Sequence, residues 1–143
     1  QKRVFSLIPG LENAKFVRYG LMHRNSYIYA PKILTESLEL KANNDIYIAG
    51  QLSGVEGYVE SAASGLLAAY YLYMKIKGIA YKNISFYTVL GSLIRYISRT
   101  GINNFQPMNA NFGIVYKANK DPKEQVISRS LEEIEKFKSQ IDE

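Results

Sequence analysis

The sequence predicts an α/β fold in which a buried strand of a parallel sheet leads through a glycine-rich loop into a long helix. The strand is the apolar run Asp45–Ala49, which lies between turn-forming residues. The loop Gly50–Gly57 follows, and the helix extends from Tyr58 to about Lys77, where Gly78 supplies a stop signal. Small side chains recur four residues apart along this helix, so we expect that face to press closely on the sheet. They are Ser61, Gly65 and Ala69.

The segments on either side are predicted from turn signals and periodicity. Pro9-Gly10 marks a turn, residues 16–30 an extended segment broken at Gly20, and residues 31–41 a loop with room for a short helix. A second helix is predicted over Thr88–Arg99, and an amide-rich loop over 103–113. The last helix is predicted to start near Ser128 or Ser130, where Ser130 and Glu133 form a capping box. Apolar faces are expected on both helices: Leu90, Leu93, Ile94 and Ile97 on the second, and Leu131, Ile134, Phe137 or Lys138, and Ile141 on the last. We expect the face of the last helix to dock on the body of the protein.

Composition limits the classes of function. With 143 residues, 47% of them hydrophobic and 22% charged, the chain has room for about one globular domain. The absence of cysteine excludes disulfides, thiolate metal sites and a cysteine nucleophile in this chain, and one histidine argues against a catalytic triad or multi-histidine metal centre. We expect a cytoplasmic protein with no membrane segment, because the longest nearly uncharged run, Ser61–Met74, is shorter than the roughly 20 residues of a membrane span. Since it begins without methionine, we also expect a C-terminal fragment.

Charge is unevenly distributed. Residues 1–120 carry 14 basic and 6 acidic side chains, a net +8, whereas residues 121–143 carry 4 and 7, a net −3. A basic body is typical of a protein with a polyanionic partner.

The glycine loop has the properties of an anion site. The first amides of a helix lack partners, and its dipole places partial positive charge there. However, the spacing Gly50-x3-Gly54-x2-Gly57 differs from the G-x-G-x-x-G of a first dinucleotide-binding turn. A tight connection without any ligand explains this spacing equally well.

The stretch AGQLSGVEGYVESAASGLLAA (49–69) resembles the last flavin-binding strand, loop and helix of the GidA-related flavoproteins. Three stretches are similar to one branch, the folate- and FAD-dependent tRNA uracil-5-methyltransferases: IPGLENAKFVRYGLMHRNSYIYAP (8–31), GVEGYVESAASG (54–65) and NFQPMNANFG (104–113). The other branch, which modifies the wobble uridine, differs where this chain reads MHRN and VEGYVESA.

The resemblance implies the C-terminal part of a Rossmann-like FAD-binding domain followed by C-terminal helices. Residues 1–40 would lead back from an inserted substrate domain, residues 41–80 would be the last strand, loop and helix of the FAD domain, and residues 81–143 would form a C-terminal helical segment. The family's nucleophilic cysteines and first glycine loop precede this region. The resemblance therefore implies that this chain holds no catalytic residue and is inactive without the upstream polypeptide.

The activity implied is methylation of C5 of the T-loop uridine of tRNA, with 5,10-methylenetetrahydrofolate, FAD and NAD(P)H. Three alternatives stay open: the same chemistry on a ribosomal RNA uridine, the wobble-uridine modification, and a non-catalytic module that binds RNA or a protein.

The resemblance also implies where ligands bind. Along the flavin's ribityl arm and at its pyrimidine edge, the implied residues are Gly50, Gln51, Gly54, Glu56, Gly57, Tyr58 and Val59. Amides at the helix start would stabilise negative charge on the reduced ring, although plain helix capping explains the same residues. For folate or substrate, the implied residues are His23, Arg24 and Asn25. A single histidine is also commonly structural.

Two further groups are candidates for RNA contact. Arg95 and Arg99 are four residues apart on the second helix, after Lys75, Lys77 and Lys82, and phosphates are their expected ligands. A solvated helix face is an equal alternative. The amides of the 103–113 loop could read a uracil edge, but we favour a loop that satisfies its own backbone. They are Asn104, Gln106, Asn109 and Asn111.

Overall fold

The computed structural model describes residues 1–20, 25–115 and 121–140. It contains helices and a small two-stranded sheet. In chain order, the elements are α1 (Lys2–Phe5), α2 (Ala30–Ile33), β1 (Glu39–Leu40), β2 (Asn43–Tyr47), a 3-10 turn (Gly50–Ser53), α3 (Tyr58–Lys77), α4 (Val89–Ser98) and α5 (Lys123–Ser139).

The predicted strand is present, but its bounds and pairing differ from the prediction. β2 begins two residues before Asp45, ends at Tyr47 and pairs antiparallel with β1, with Glu39 opposite Tyr47. The Lys41-Ala42 turn returns the chain directly, and this favours an antiparallel hairpin over a parallel crossover. Four of the five β2 residues are exposed, so within the described residues the strand is not buried on both faces.

α3 confirms the predicted helix but buries a different face. It begins after Gly57 and ends at Lys77, and Gly78, with a left-handed φ of 66°, caps the last turn. The small-residue face does not pack on a sheet within the described residues, because Gly65 and Ala69 are exposed. The buried residues are Ser64, Leu67, Ala68, Tyr71 and Met74.

α4 confirms its prediction, and its apolar face supplies the centre of the core. Thr88 caps the helix by accepting a hydrogen bond from the Gly91 amide at 2.9 Å. Leu93, Ile94 and Ile97 are buried in one cluster that extends from α2 to α5. Its other buried members are Ala30, Leu34, Leu38, Val55, Leu67, Ala68, Tyr71, Ile84, Phe105 and Phe137. No described residue before position 28 contributes to this cluster.

α5 begins earlier than predicted. Pro122 precedes its first residue, and proline at a helix start is favourable because no amide hydrogen is lost there. The predicted capping box at Ser130 and Glu133 was therefore wrong, and both residues lie inside the helix. Docking of the helix is confirmed for Phe137, which is 9% exposed, but Leu131 remains 62% exposed, and Ile141 lies outside the described residues. None of the described helices has the length and apolarity needed to cross a bilayer.

Candidate functional site

The glycine loop is the point where three separate stretches of the sequence meet. Met108 donates its amide hydrogen to the Gly54 carbonyl at 3.0 Å, and Glu56 donates to the Met108 carbonyl at 3.0 Å. From the other side, the Ile28 amide donates to the Leu52 carbonyl, also at 3.0 Å. Backbone hydrogen bonds thus join the loop to residues 104–113 and to the end of residues 8–31.

Phe105 fills the space beneath this junction. Its side chain is 3% exposed, and its Cε1 atom lies 2.9 Å from the position that a Cβ on Gly54 would take. Its ring centroid lies 6.0, 5.8 and 5.7 Å from those of Tyr27, Tyr29 and Tyr96. Sequence reasoning missed Phe105, because its three aromatic neighbours are brought to it only by the fold.

The backbone polar groups in the first part of the loop have partners within the loop and on α3. The Gly50 amide donates to the Ser64 hydroxyl at 2.9 Å, and the Gly50 carbonyl accepts from the Ser53 hydroxyl at 2.7 Å. The amide of Gly54 donates to the Gln51 carbonyl. The backbone groups of both glycines are therefore engaged within the protein. Ser64, which joins α3 to the loop, is a second residue that sequence reasoning missed.

The start of α3 remains open. Gly57 has a φ of 94°, a left-handed conformation that favours glycine, and no side chain caps the helix. Tyr58 is 98% exposed and Val59 is 79% exposed, so the first turn faces outward with its amides and the positive end of the dipole. Gln51, also exposed, makes no side-chain hydrogen bond with a described residue. This combination can accept an anionic or hydrogen-bond-accepting edge of a ligand.

A carboxylate borders this open end. Glu60 folds back so that its side chain would contact a Cβ on Gly57, and its Oε1 accepts from the Ala110 amide at 3.3 Å. Negative charge in the first turn of a helix is stabilising. Glu60 therefore links the 104–113 loop to α3 and places an anion beside any ligand bound there. The sequence contained its signal, an acidic residue in a first helical turn.

The remaining predicted ligand residues are only partly described. His23 and Arg24 lie outside the described residues. Asn25 is exposed and lies two positions before Tyr27, whose ring contacts Phe105. In the 104–113 loop, Asn111 donates to the Asn109 carbonyl at 2.9 Å and accepts from the Gly113 amide at 2.8 Å, as a self-satisfied loop predicts.

The predicted basic group divides into two. Arg95 and Arg99 line the same cavity, and the Arg95 guanidinium lies over the Phe86 ring at 4.6 Å. Lys75 instead bridges to Glu39 and Asp45 at 3.5 Å each, next to the hairpin. Lys75 is thus paired elsewhere and does not extend the arginine pair. The described residues contain no group of acidic or histidine side chains arranged to hold a metal ion.

The described residues form a mixed structure of helices and one small antiparallel sheet, with a glycine-bearing turn at the start of a long helix. The chain belongs to the glucose inhibited division protein A family, whose model matches residues 1–80. The resemblance seen in the sequence is therefore confirmed at the level of the family.

Curated relatives extend this similarity over nearly the whole chain. The chain is 49% identical to the methylenetetrahydrofolate–tRNA-(uracil-5-)-methyltransferase TrmFO of Streptococcus uberis, over 96% of this chain and 32% of that protein. It is 49% identical to the TrmFO of Staphylococcus carnosus, over 99% of this chain and 34% of that protein. It is 48% identical to the TrmFO of Bacillus cytotoxicus, over 96% of this chain and 33% of that protein. The chain thus spans about a third of the length of these relatives.

Proposed function

We propose that the full-length protein transfers a one-carbon unit from 5,10-methylenetetrahydrofolate to C5 of a tRNA uridine in the cytoplasm. The observation that carries this proposal is the 46–49% identity, over 96–99% of the chain, to relatives named for that activity. A methylene group is two electrons more oxidised than a methyl group, so the transfer also requires a reductant. We assign that role to NAD(P)H acting through FAD.

The proposed place of the chain is the end of a Rossmann-like FAD domain. Residues 1–40 would enter from a substrate domain, 41–80 would form the last strand, loop and helix, and 81–143 would follow as C-terminal helices. Two observations support this division. The family match ends at residue 80, and α3 carries exposed apolar side chains at Leu66 (75%) and Ile76 (73%), as a helix covered by further sheet would.

The open start of α3 fits one edge of a flavin. FAD, when bound, would carry reducing equivalents from NAD(P)H to the one-carbon unit. The Tyr58 and Val59 amides would hydrogen-bond the pyrimidine edge of the ring, and the absence of a cap at Gly57 leaves room for that approach. Gln51 would bind a ribityl hydroxyl. Gly50, Gly54 and Glu56, whose backbone groups are engaged internally, would shape the loop rather than donate to the cofactor.

Two other groups would complete the ligand contacts. His23, Arg24 and Asn25 are proposed to meet the folate, since Asn25 leads directly to the aromatic residues beside Phe105. Arg95 and Arg99 are proposed to bind RNA phosphates. The chain has no cysteine, so a cysteine nucleophile would come from the rest of the full-length protein.

The test is transfer of isotope from the labelled methylene group of the folate into RNA by purified full-length protein. Transcripts of tRNA and of ribosomal RNA are offered separately, and the products are digested to nucleosides. We expect label in 5-methyluridine from tRNA, dependent on NAD(P)H. Label only in ribosomal RNA would change the substrate, label at a wobble uridine would favour the other branch, and no label in any RNA would refute the proposal.

A further inference from the structure

A cavity of about 690 Å³ opens beside the C-terminal end of α4. Two of its lining residues are the exposed arginines Arg95 and Arg99, and Tyr96, Ile102 and Ile114 give it partly apolar walls. This volume lies within the range of roughly 300–1,000 Å³ typical of small-ligand sites. The cavity therefore has room for one nucleotide.

One cation of this cavity is positioned in advance, because the Arg95 guanidinium stacks on the Phe86 ring. Arg99 directly follows the last residue of α4, in an extended conformation, and lines the same cavity. Within the described residues, neither guanidinium forms an ion pair with a carboxylate. Both charges can thus meet an external anion without first breaking an internal pair.

A second cavity, of about 310 Å³, adjoins the first. It shares Thr100, Gly101 and Ile102 with the first cavity and adds Lys32, whose ammonium lies 5.4 Å from the Tyr29 ring centroid. No acidic side chain is found among the described residues that line either cavity. Cations and aromatic rings in sequence along two adjoining cavities match a chain of alternating phosphates and planar bases.

We propose that the larger cavity holds one unstacked nucleotide from a single-stranded loop of the RNA substrate. Its base would lie against Tyr96, Ile102 and Ile114, and its flanking phosphates would pair with Arg95 and Arg99. The next phosphate would reach Lys32 across the shared wall at Thr100. This inference rests on the proposed function only in taking RNA as the substrate.

Two principles favour RNA over an acidic peptide. Proteins recognise RNA loops by accepting splayed bases on aromatic or guanidinium planes, combined with cationic contacts to phosphate. The carboxylates of an acidic peptide would pair with the arginines, but Asp and Glu side chains supply no planar ring for the apolar part of the cavity. A base-paired stem cannot supply an unstacked base.

Thr100 is the position for a test, because it is exposed and lines both cavities. The probe is a stem–loop RNA, and the protein is the full-length protein loaded with FAD. We expect Thr100→Glu to weaken RNA binding about tenfold, because its carboxylate repels phosphate. Thr100→Gln introduces a side chain of the same shape as glutamate without the charge, and its affinity should stay within about twofold of the wild-type value. Equal flavin content and thermal stability of the two variants show that both fold.

A salt series tests the phosphate contacts separately. Arg99→Gln is expected to reduce the slope of log affinity against log salt concentration by about 0.7, the value for one single-strand phosphate contact. Lys138→Gln, on α5 outside both cavities, removes the same charge and should leave the slope unchanged. An equal effect of both variants would indicate a general charge effect and would contradict the site.

Single abasic positions in the RNA loop test the base contact. In the wild-type protein, we expect one position whose base removal weakens binding about tenfold, the loss of one stacking contact. In Thr100→Glu the same removal should have little further effect. If no loop position is sensitive to base removal, the proposal is overturned in favour of a nonspecific anion surface. If polyglutamate displaces the RNA as effectively as unlabelled stem–loop does, the proposal is overturned in favour of a nonspecific anion surface or a protein partner.

The two proposals fail in different ways. If Thr100→Glu and Thr100→Gln bind RNA equally while the protein still methylates RNA, the nucleotide site is refuted and the proposed function stands. If the variants differ as expected but no RNA is methylated, the nucleotide site stands and the proposed function falls.

Discussion

The Phe105 ring occupies the space that any side chain at Gly54 would need, with its Cε1 atom 2.9 Å from the position of a Cβ. The same ring contacts Tyr96, a wall of the cavity at α4. One buried aromatic side chain therefore lies between the loop proposed for flavin and the cavity proposed for RNA. The glycine at position 54 is explained by this packing without a ligand.

Gly54→Ala should destabilise the protein by about 2–4 kcal/mol, because it combines a left-handed backbone with overpacking against Phe105. Gly101→Ala is the matched control: its φ of 89° is close to the 92° of Gly54, but nothing lies within 4 Å of its Cβ position. It should cost only the conformational part, about 1–2 kcal/mol. Urea unfolding of both variants measures the difference. Equal losses in the free energy of unfolding would show that the Phe105 ring moves aside without an energetic cost.

Glu60→Gln should raise the reduction potential of the bound flavin by roughly 20 mV, equivalent to about 1 kcal/mol, because a carboxylate beside the helix start opposes negative charge on the ring. Glutamine can still accept from the Ala110 amide, so the loop is retained. Glu36→Gln, an exposed change in the turn before β1, is the control. Potentiometric titration of the holoprotein measures both, and an unchanged potential for Glu60→Gln would place the flavin elsewhere.

Stability should fall above pH 10 in part through Tyr71. Burial raises the pKa of Tyr71 to about 12, whereas its value in the unfolded chain is about 10. Between these values the unfolded state has released the proton that the folded state keeps, so the free energy of unfolding decreases as pH rises.

Tyr71→Phe should make this decrease shallower. It should also lower stability at neutral pH by about 1–3 kcal/mol, because the Ile84 amide loses its acceptor. Tyr73→Phe, at a side chain that is 54% exposed, should change neither the pH dependence of stability nor the stability at neutral pH. Urea unfolding across a pH series tests this, and identical pH profiles for wild type and Tyr71→Phe would contradict it.

Phe137→Ala should destabilise by about 3 kcal/mol, because this side chain packs edge-on against Tyr70 at 5.2 Å and anchors α5 to the core. Leu131→Ala, on the exposed side of the same helix, should change stability by no more than about 0.5 kcal/mol. Thermal unfolding of both variants is the measurement. Similar losses would mean that the helix docks through a different face.

The long helices were predictable because their signals are local. Gly57 and Gly78 delimit α3, and Thr88 caps α4, so these bounds follow from neighbouring residues. The buried face of α3 was not predictable in this way, because small residues and large apolar residues recur at the same period. Tertiary packing within the core cluster selects Leu67 and Tyr71 for the interior.

The pairing of β2 and the centre of the candidate site depend on long-range contacts. A short apolar run predicts a strand but not its partner, and the Lys41-Ala42 turn decides in favour of β1. Phe105 lies 51 positions after Gly54, and no periodicity connects the two. The similarity of the three stretches to one family indicated that they belong together, but not the hydrogen bonds through Met108 that join two of them.

The open start of α3 is the proposed binding site for the flavin. Hydrogen exchange of the full-length protein, resolved to single amides and compared with and without FAD, is the decisive measurement for this site. FAD should slow exchange at Tyr58 and Val59, whose amides are uncapped, and should leave Gly50 nearly unchanged, since its amide already donates to Ser64. Unchanged exchange at Tyr58 and Val59 on saturation with FAD would contradict a flavin site at the start of α3.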